Sequence, residues 1–402
     1  MRKWIATCLG GVALAAMIAS VDNAQVNKVQ GVDIIRVPDG GLQPQAAIDN
    51  KGVLHLIYFK GEPGHGDLFY VTSKDAGQTF SPPIRVNNEP GTAVAAGTIR
   101  GGKIALGKGG RVYVGWNGSS KSSLRGRRIP NMAKDSPYNG LPMLFARLND
   151  AGTKFEDARN VMKLTFGLDG GGDVAADLAG HVYVAWHGKT NGDAENEDGR
   201  AAWIACSSDA GRYFTPEHKA WSEPTGACGC CSLSVFAGKD GTVYILYRSA
   251  KQTVNRDMYL LESKDEGKTF TGKRIDKWNI GACPMTSMAF AEGDGFLDAA
   301  WQTKEQVYFA KINPGTFEIS QPIAAPDTGK LRKYPTLAIN RNGDTLFAWT
   351  EGTGWGSGGS LEWQVFDKNG TPTGEKGSVS DLPAWSFGAA FVRPDESFAM
   401  LY

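Results

Sequence analysis

The chain of 402 residues carries 43 basic and 42 acidic side chains, a formal net charge of +1. That balance leaves no basic footprint for nucleic acid or for an anionic membrane surface. The length exceeds one ordinary core, and glycine at 52 positions marks a chain rich in turns.

Arg2 and Lys3 precede an apolar stretch over residues 4–18, and small or polar residues follow through Ala24, the pattern of a signal peptide. The stretch falls short of the roughly 20 apolar residues that span a bilayer comfortably, and no other segment approaches that length. Residues 1–24 are therefore expected to be a Sec-type signal peptide, with an uncleaved N-terminal anchor as the alternative. Residues 25–402 would then be one mature domain, periplasmic or extracellular, with no membrane span. Cleavage brings the net charge to 0 and keeps five of the six cysteines, in a compartment that permits disulfides.

Along the mature chain one pattern recurs: a short apolar strand, a turn such as Asp-x-x-Gly, and a second strand ending in an aromatic residue. It reads "QAAIDNKGVLHLIYF" at 45–59, "KIALGKGGRVYVGW" at 103–116, "DVAADLAGHVYVAW" at 173–186 and "LSVFAGKDGTVYILY" at 233–247. It returns as "SMAFAEGDGFLDAAW" at 287–301, "TLAINRNGDTLFAW" at 336–349 and "GAAFVRPDESFAMLY" at 388–402. Seven such hairpins, roughly 50 to 70 residues apart, match the size of a four-stranded propeller blade. After four of them comes a third strand and a polar turn: "SKDAGQTF" (73–80), "SKDEGKTF" (263–270), "SSDAGRYF" (207–214) and the degraded "LNDAGTKF" (148–155).

These turns resemble the Asp-box, the Ser-x-Asp-x-Gly-x-Thr-Phe/Trp motif of sialidase-superfamily propellers. The resemblance implies an all-β propeller of four-stranded antiparallel blades across nearly the whole mature chain. Six blades are usual in that superfamily; the repeat count predicts seven here, with six as the alternative if the last hairpin completes an earlier blade. In seven, "VDIIRVP" (32–38) would supply the outer strand that closes the ring. Asp75, Asp209 and Asp265 are expected to be structural, since the box is turn chemistry: the carboxylate accepts from its own loop and the glycine permits positive φ.

Strand alternation puts the Asp-x-x-Gly turns and the boxes on one face. The opposite face collects the segments that lead into each innermost strand, together with the long loops 60–67, 117–142, 187–200, 248–257 and 351–359. A ligand site is expected there. "TGACGCC" (225–231) lies on that face just before the fourth innermost strand, and "WNIGACPM" (278–285) before the fifth. Cys228, Cys230, Cys231 and Cys283 are therefore expected to meet at the channel mouth with Met285. An extended segment would point Cys228 and Cys230 one way and Cys231 the other. Three readings fit this sulfur: disulfides tying the two blades, a soft site for Cu(I) or zinc supported by Met285 or Met288, or a reducible vicinal disulfide at Cys230 and Cys231. Cys206, on a strand before an Asp-box, reads as a separate buried thiol.

The same face carries Arg100, Arg248, Arg256, Asp257, Arg332, Tyr334, Glu351 and Asp169, with Trp355 and Trp385. Sialidases grip a substrate carboxylate with three arginines and use a Tyr nucleophile paired with Glu, and an Asp acid/base. "IIRVP" (34–38) is similar to the motif that supplies the first of those arginines, which points to Arg36. Arg256, Arg332, Tyr334 and Asp67 match the catalytic set in type and approximate order. Arg100, Arg248, Asp257 and His187 are further ligand-binding candidates. Cysteines at the mouth set the chain closer to cysteine-bearing secreted propellers than to a proven sialidase.

The five histidines, His55, His65, His181, His187 and His218, show no paired metal spacing; His187 stands nearest the cysteine blade. "GLDGGGD" (167–173) leads into a strand, which makes it a poor phosphate cradle. "SSKSSLRGRRIP" (119–130) is a basic lid that would suit an acidic ligand. The expected function is thus a secreted propeller binding a small molecule, glycan or protein on its loop-rich face. Sialidase-type hydrolysis and copper or thiol redox handling are the alternatives.

Overall fold

The computed structural model describes residues 26–29, 31–136 and 138–402; the expected signal peptide and Cys8 lie outside them. Seven four-stranded sheets form a ring, and three short 3-10 turns are the only helical elements among the described residues. The seven-blade expectation holds and the six-blade alternative falls. The innermost strands are Leu42–Ile48, Lys103–Leu106, Asp173–Ala176, Ser234–Ala237, Ala289–Glu292, Lys333–Ile339 and Ala389–Val392. Together they line an axial channel of about 680 Å³.

The second strands of the hairpins read as continuous apolar runs because neighbouring blades cover both of their faces. Val112–Asn117, Val182–Gly188, Val243–Arg248 and Leu297–Thr303 are buried along their whole length. The aromatic that ends each run, such as Trp116, Trp186, Trp301 and Trp349, fills the space between adjacent sheets. Complete burial of such a side chain stabilises by about 2 to 3 kcal/mol.

The ring closes as "VDIIRVP" suggests, with one feature the pattern does not show. Val32–Ile35 lies beside the C-terminal strand Phe398–Leu401 in parallel, pairing Asp33 with Ala399 and Ile35 with Leu401. A third strand normally runs back toward the box face. This one has to end on the loop face, where the chain enters the first innermost strand at Leu42, so it runs alongside its partner. Arg36 sits at that seam with its guanidinium 4.0 Å from the Tyr402 ring centroid.

The Asp-boxes carry out turn chemistry. Asp265 Oδ1 accepts from Ser263 Oγ at 2.7 Å and from Thr269 N at 2.9 Å, and Oδ2 accepts from Thr269 Oγ1 at 2.6 Å. Asp75 repeats the set with Ser73 and Thr79, and Asp209 repeats the side-chain and backbone bonds with Ser207 and Tyr213. Gly77, Gly211 and Gly267 have φ of 92°, 74° and 78°, as the turn requires. Phe80, Phe214 and Phe270 are buried between sheets. In the degraded copy Asn149 takes over the turn, accepting from Thr153 N at 2.9 Å, and Asp150 pairs with Arg111 instead.

Candidate functional site at the channel mouth

Seven lead-in segments converge on the axis opposite the Asp-boxes, and they do so through unusual backbone. Gln43, Thr98, Met285, Tyr334 and Trp385 have φ between 49° and 67°, one each from five different blades. Left-handed backbone at a non-glycine residue is strained, and it persists where packing determines it. The third blade uses glycine for the same purpose. A Cβ on Gly170 would collide with the Cys231 carbonyl oxygen, and one on Gly171 with that of Ile99. "GLDGGGD" is thus a joint for close backbone contact, held by Asn117, whose side chain donates to the Gly170 carbonyl at 2.9 Å and accepts from Gly172 N at 3.1 Å.

The cysteine segment abuts this joint. Residues 228–231 form a turn rather than an extended run, so the expected alternation of side chains does not occur. Cys231 N donates to the Cys228 carbonyl at 3.4 Å, and Gly229 N to Glu197 Oε1 at 2.6 Å. All three sulfurs collect on one side, within 4.8 Å of one another. Cys228 Sγ lies 3.4 Å from both Cys230 Sγ and Cys231 Sγ. A disulfide requires about 2.05 Å. Neither the stapling disulfides nor the vicinal one is formed among the described residues, where all five cysteines are free thiols.

Cys283 does not join the group, which corrects the four-cysteine expectation. It is exposed, and Met285 packs against Cys228, Cys230, Cys231 and Ala250 in its place. Met285 itself has left-handed backbone, with φ of 49°. Cys206 stands apart behind the Asp-box of the fourth blade, with Sγ 3.9 Å from the Gly267 carbonyl, and burial pushes its thiol up to about 12.

Two buried arginines act on the sulfurs. Arg248, fully buried, donates to the Arg256 and Gln302 carbonyls, stacks 5.0 Å from the Trp278 ring centroid and faces Cys231. Arg256 pairs with Glu197 at 2.6 Å, and its Nε and Nη1 have no partner. Burial opposes ionisation of Cys231, but hydrogen bonds from Cys228 and Cys230 and the Arg248 guanidinium outweigh it and bring this thiol well below the usual value. Cys230 is pushed upward by its hydrogen bonds with Cys228 and Cys231 and by burial. Lys333 is held below the ordinary lysine range by burial, against attraction from Cys231 and Cys230. His187 is fully buried with neither ring nitrogen hydrogen-bonded; burial, only partly offset by Cys228, lowers it to about 4.

The remaining candidates sit in other settings. Arg332 spends its guanidinium on Glu351 at 2.7 Å, on Gln306 and on the carbonyls of Ala325, Pro326 and Asp327. Asp67 Oδ1 accepts from Asn87 Nδ2 and Gly91 N, both at 2.7 Å, and fastens a loop. Asp257 takes the Trp278 N–H at 3.0 Å and pairs with Arg274. Tyr334 is buried against Ile99 and Phe387, and burial raises its hydroxyl to about 12. After burial, the largest influences on it are Thr98, Cys231, Arg100 and Cys230.

A second cluster lies at the rim. Trp355, 65% exposed, meets Trp385 edge to face with ring centroids 4.9 Å apart. Gly97 lies against both the Trp355 ring and the Arg100 guanidinium, leaving no room there for a side chain. Arg100 pairs with Asp169 at 2.6 Å, and the Asp169 side chain is 46% exposed. Sequence reasoning named these four residues. It missed Glu197, which organises the cysteine turn from a different loop, and Lys333, whose only signal was its place beside Tyr334.

No protein-family profile matches the sequence, and no curated protein matches it. Among solved structures, the chain is similar to a Hadza microbial sialidase, with a TM-score of 0.53, 14% identity, and coverage of 82% of this chain and 66% of that one. It thus spans just under two thirds of that sialidase's length. It is also similar to a protein of unknown function from Dyadobacter fermentans DSM 18053, with a TM-score of 0.52, 16% identity, and coverage of 89% and 99%. A third likeness is to the Penicillium chrysogenum α-L-arabinanase complexed with arabinobiose, with a TM-score of 0.52, 14% identity, and coverage of 88% and 100%. At such identities the likeness is one of fold. The chain is a seven-bladed Asp-box β-propeller that shares its fold with the sialidase and arabinanase propellers.

Proposed function

We propose that this propeller is a secreted carbohydrate-binding protein whose ligand lies on the loop-rich face, against Trp355 and beside the Arg100–Asp169 pair. The exposed Trp355 ring, braced edge-on by Trp385, carries the reading. A large aromatic left open on a braced platform offers a flat apolar surface to the C–H face of a sugar ring. The guanidinium and carboxylate next to it supply the polar contacts that fix orientation. The sialidase and the arabinanase of like fold act on or bind sugars, which supports a glycan over other ligands.

Binding is favoured over hydrolysis. Arg332 is saturated by backbone and side-chain partners, and Glu351 is tied to Arg332 and to the Trp349 N–H. Burial raises the Tyr334 hydroxyl to about 12, and a neutral phenol is a poor nucleophile.

The test is calorimetric titration with neutral arabino-oligosaccharides and with sialyllactose. One of them is expected to bind, and Trp355→Ala to weaken it by about tenfold or more, the worth of one stacking contact. No binding by any probe, or unchanged binding by the variant, would defeat the reading. Turnover of a chromogenic sialoside that Tyr334→Phe abolishes would replace binding with hydrolysis.

A further inference from the structure

We propose that Cys228, Cys230 and Cys231 bind one Cu(I) ion at the channel mouth, in a three-sulfur site with the Met285 thioether packed against it. This site is separate from the rim platform and does not depend on a glycan binding there.

The geometry is that of a three-coordinate centre. Metal–thiolate bonds of about 2.3 Å place three sulfurs at the corners of a triangle with edges of about 4 Å. The three Sγ atoms already stand 3.4 Å apart on two edges and within 4.8 Å on the third, so admitting an ion takes an opening of the two short edges by roughly 0.6 Å. The turn over residues 228–231 makes this convergence permanent, because Glu197 fixes it from another loop. Close contact with Gly170 backs it from the third blade.

The donor set selects the ion. Thiolate and thioether sulfur prefer Cu(I), whereas zinc takes a tetrahedral set of four ligands. The group of metal-ligating side chains found together among the described residues is the three cysteines, with no histidine in it to complete a Cys3His zinc site. Uptake displaces the remaining thiol protons to solvent. The ion enters as Cu(I), so no electron is transferred.

Two further observations point to a ligand here. Arg248 and Arg256 bring positive charge to a sulfur group buried beside Ala250, and Nε and Nη1 of Arg256 have no hydrogen-bond partner. Buried donors of this kind are costly unless the group they face is negative. Three thiolates around a monovalent ion carry a net negative charge and supply that counterpart. His187, buried beside Cys228 with both nitrogens unpartnered, is the second sign of a polar group missing from the protein's own inventory.

The test starts from the full mature chain, reduced and kept free of oxygen, and titrated with Cu(I) against the competing chelator bathocuproine disulfonate. One equivalent is expected to be retained, with an X-ray absorption spectrum that fits a sulfur-only shell at about 2.3 Å. The spectrum is taken on the unaltered protein, so it stands even if a variant fails to fold. Cys228→Ser, Cys230→Ser and Cys231→Ser are each expected to weaken Cu(I) by more than the roughly 10- to 100-fold that loss of an outer-shell partner costs. Cys206→Ser and Cys283→Ser are expected to bind as the unaltered chain does, and His187→Ala to keep the one-equivalent stoichiometry. A nitrogen or oxygen shell, zinc held in preference to Cu(I), full retention by Cys230→Ser, or thiols that pair into disulfides and take up no copper once reduced would each overturn the proposal.

Discussion

Glu197→Gln tests the construction of the sulfur turn directly. Both carboxylate oxygens of Glu197 act as acceptors, Oε1 for Gly229 N and Oε2 for Arg256 Nη2, each at 2.6 Å. A glutamine amide keeps the shape but offers one acceptor and one donor, so whichever way it turns, one of the two N–H groups faces an N–H. A charge-assisted hydrogen bond contributes about 1.5 to 3 kcal/mol, and breaking a fully buried ion pair costs about 3 to 5 kcal/mol. The Arg256 side chain is 5% exposed but that of Glu197 is 24% exposed, so partial solvation places the expected loss near the lower figures. We take about 2.5 kcal/mol, and with an unfolding entropy of about 2.1 cal/mol/K per residue over this chain that lowers Tm by roughly 3 °C. Differential scanning fluorimetry measures the shift. Glu156→Gln is the control, since it breaks the comparable Arg147–Glu156 pair behind an Asp-box. Both variants are expected to lose a similar amount of stability, but only Glu197→Gln should weaken Cu(I) retention. An unchanged Tm, or equal effects of the two on copper, would refute the assignment of Glu197 as the organiser of the turn.

Gly170→Ala drives a methyl into the Cys231 carbonyl and is expected to cost about 1 to 3 kcal/mol, read by urea denaturation; a neutral result would show that the joint can yield. Partial burial opposes ionisation of Asp265, but hydrogen bonds from Thr269, Ser263 and Lys268 outweigh it and bring the carboxyl to about 2. Its folded value lies below the unfolded one, so its contribution is present above about pH 4 and disappears as pH falls toward 2. Asp265→Ala should accordingly destabilise at pH 7 and flatten the acid limb of a Tm-versus-pH curve, and an unaltered limb would contradict it. Asp298 is the opposite case, raised to about 6 by burial despite Lys311 and Thr345. A carboxyl harder to ionise when folded costs stability above its folded value, and the cost vanishes below the unfolded one. Asp298→Asn is therefore expected to gain about 1 to 2 kcal/mol at pH 7.5 and nothing near pH 4, and a gain independent of pH would rule this out.

The blades were legible because their signals are local. An apolar run ending in Trp186 or Trp301 and a box ending in Phe80 or Phe270 each carry their own turn chemistry, so the repeat count favoured seven, with six left open until the structure showed the ring. The parallel closing strand was not legible, since its direction follows from where Leu42 must begin and not from the residues 32–38 themselves. At the mouth, register between repeats correctly brought the cysteine segment onto the axis. It could not foresee the turn, which depends on Glu197 in a loop some thirty residues earlier. The same limit exchanged Cys283 for Met285: they are two positions apart in sequence, and the left-handed backbone of Met285 itself is something no strand pattern reveals. Arg332 shows the complementary failure. Its spacing suited a substrate clamp, but its donors are absorbed by carbonyls of its own lead-in segment.

The two proposed sites differ in the backbone that carries them, and this bears on what each can do. Trp355 belongs to a long loop and Trp385 to the rim, where an exposed aromatic tolerates ligands of several shapes. The sulfurs belong to a lead-in segment locked between Gly170 on one side and the Thr286 carbonyl, which accepts from Ser232 N at 3.1 Å, on the other. A metal site on such rigid elements needs little reorganisation to bind, whereas a pair of thiols needs a closing movement to reach bonding distance. From 3.4 Å, disulfide formation at Cys228 requires the turn to contract by more than an ångström against the Glu197 clamp and the Gly170 contact. Rigidity therefore favours ion binding over thiol oxidation, although the chain is expected in an oxidising compartment. Tyr334, buried against Ile99 and Phe387, feels the charges of Cys231, Arg100 and Cys230.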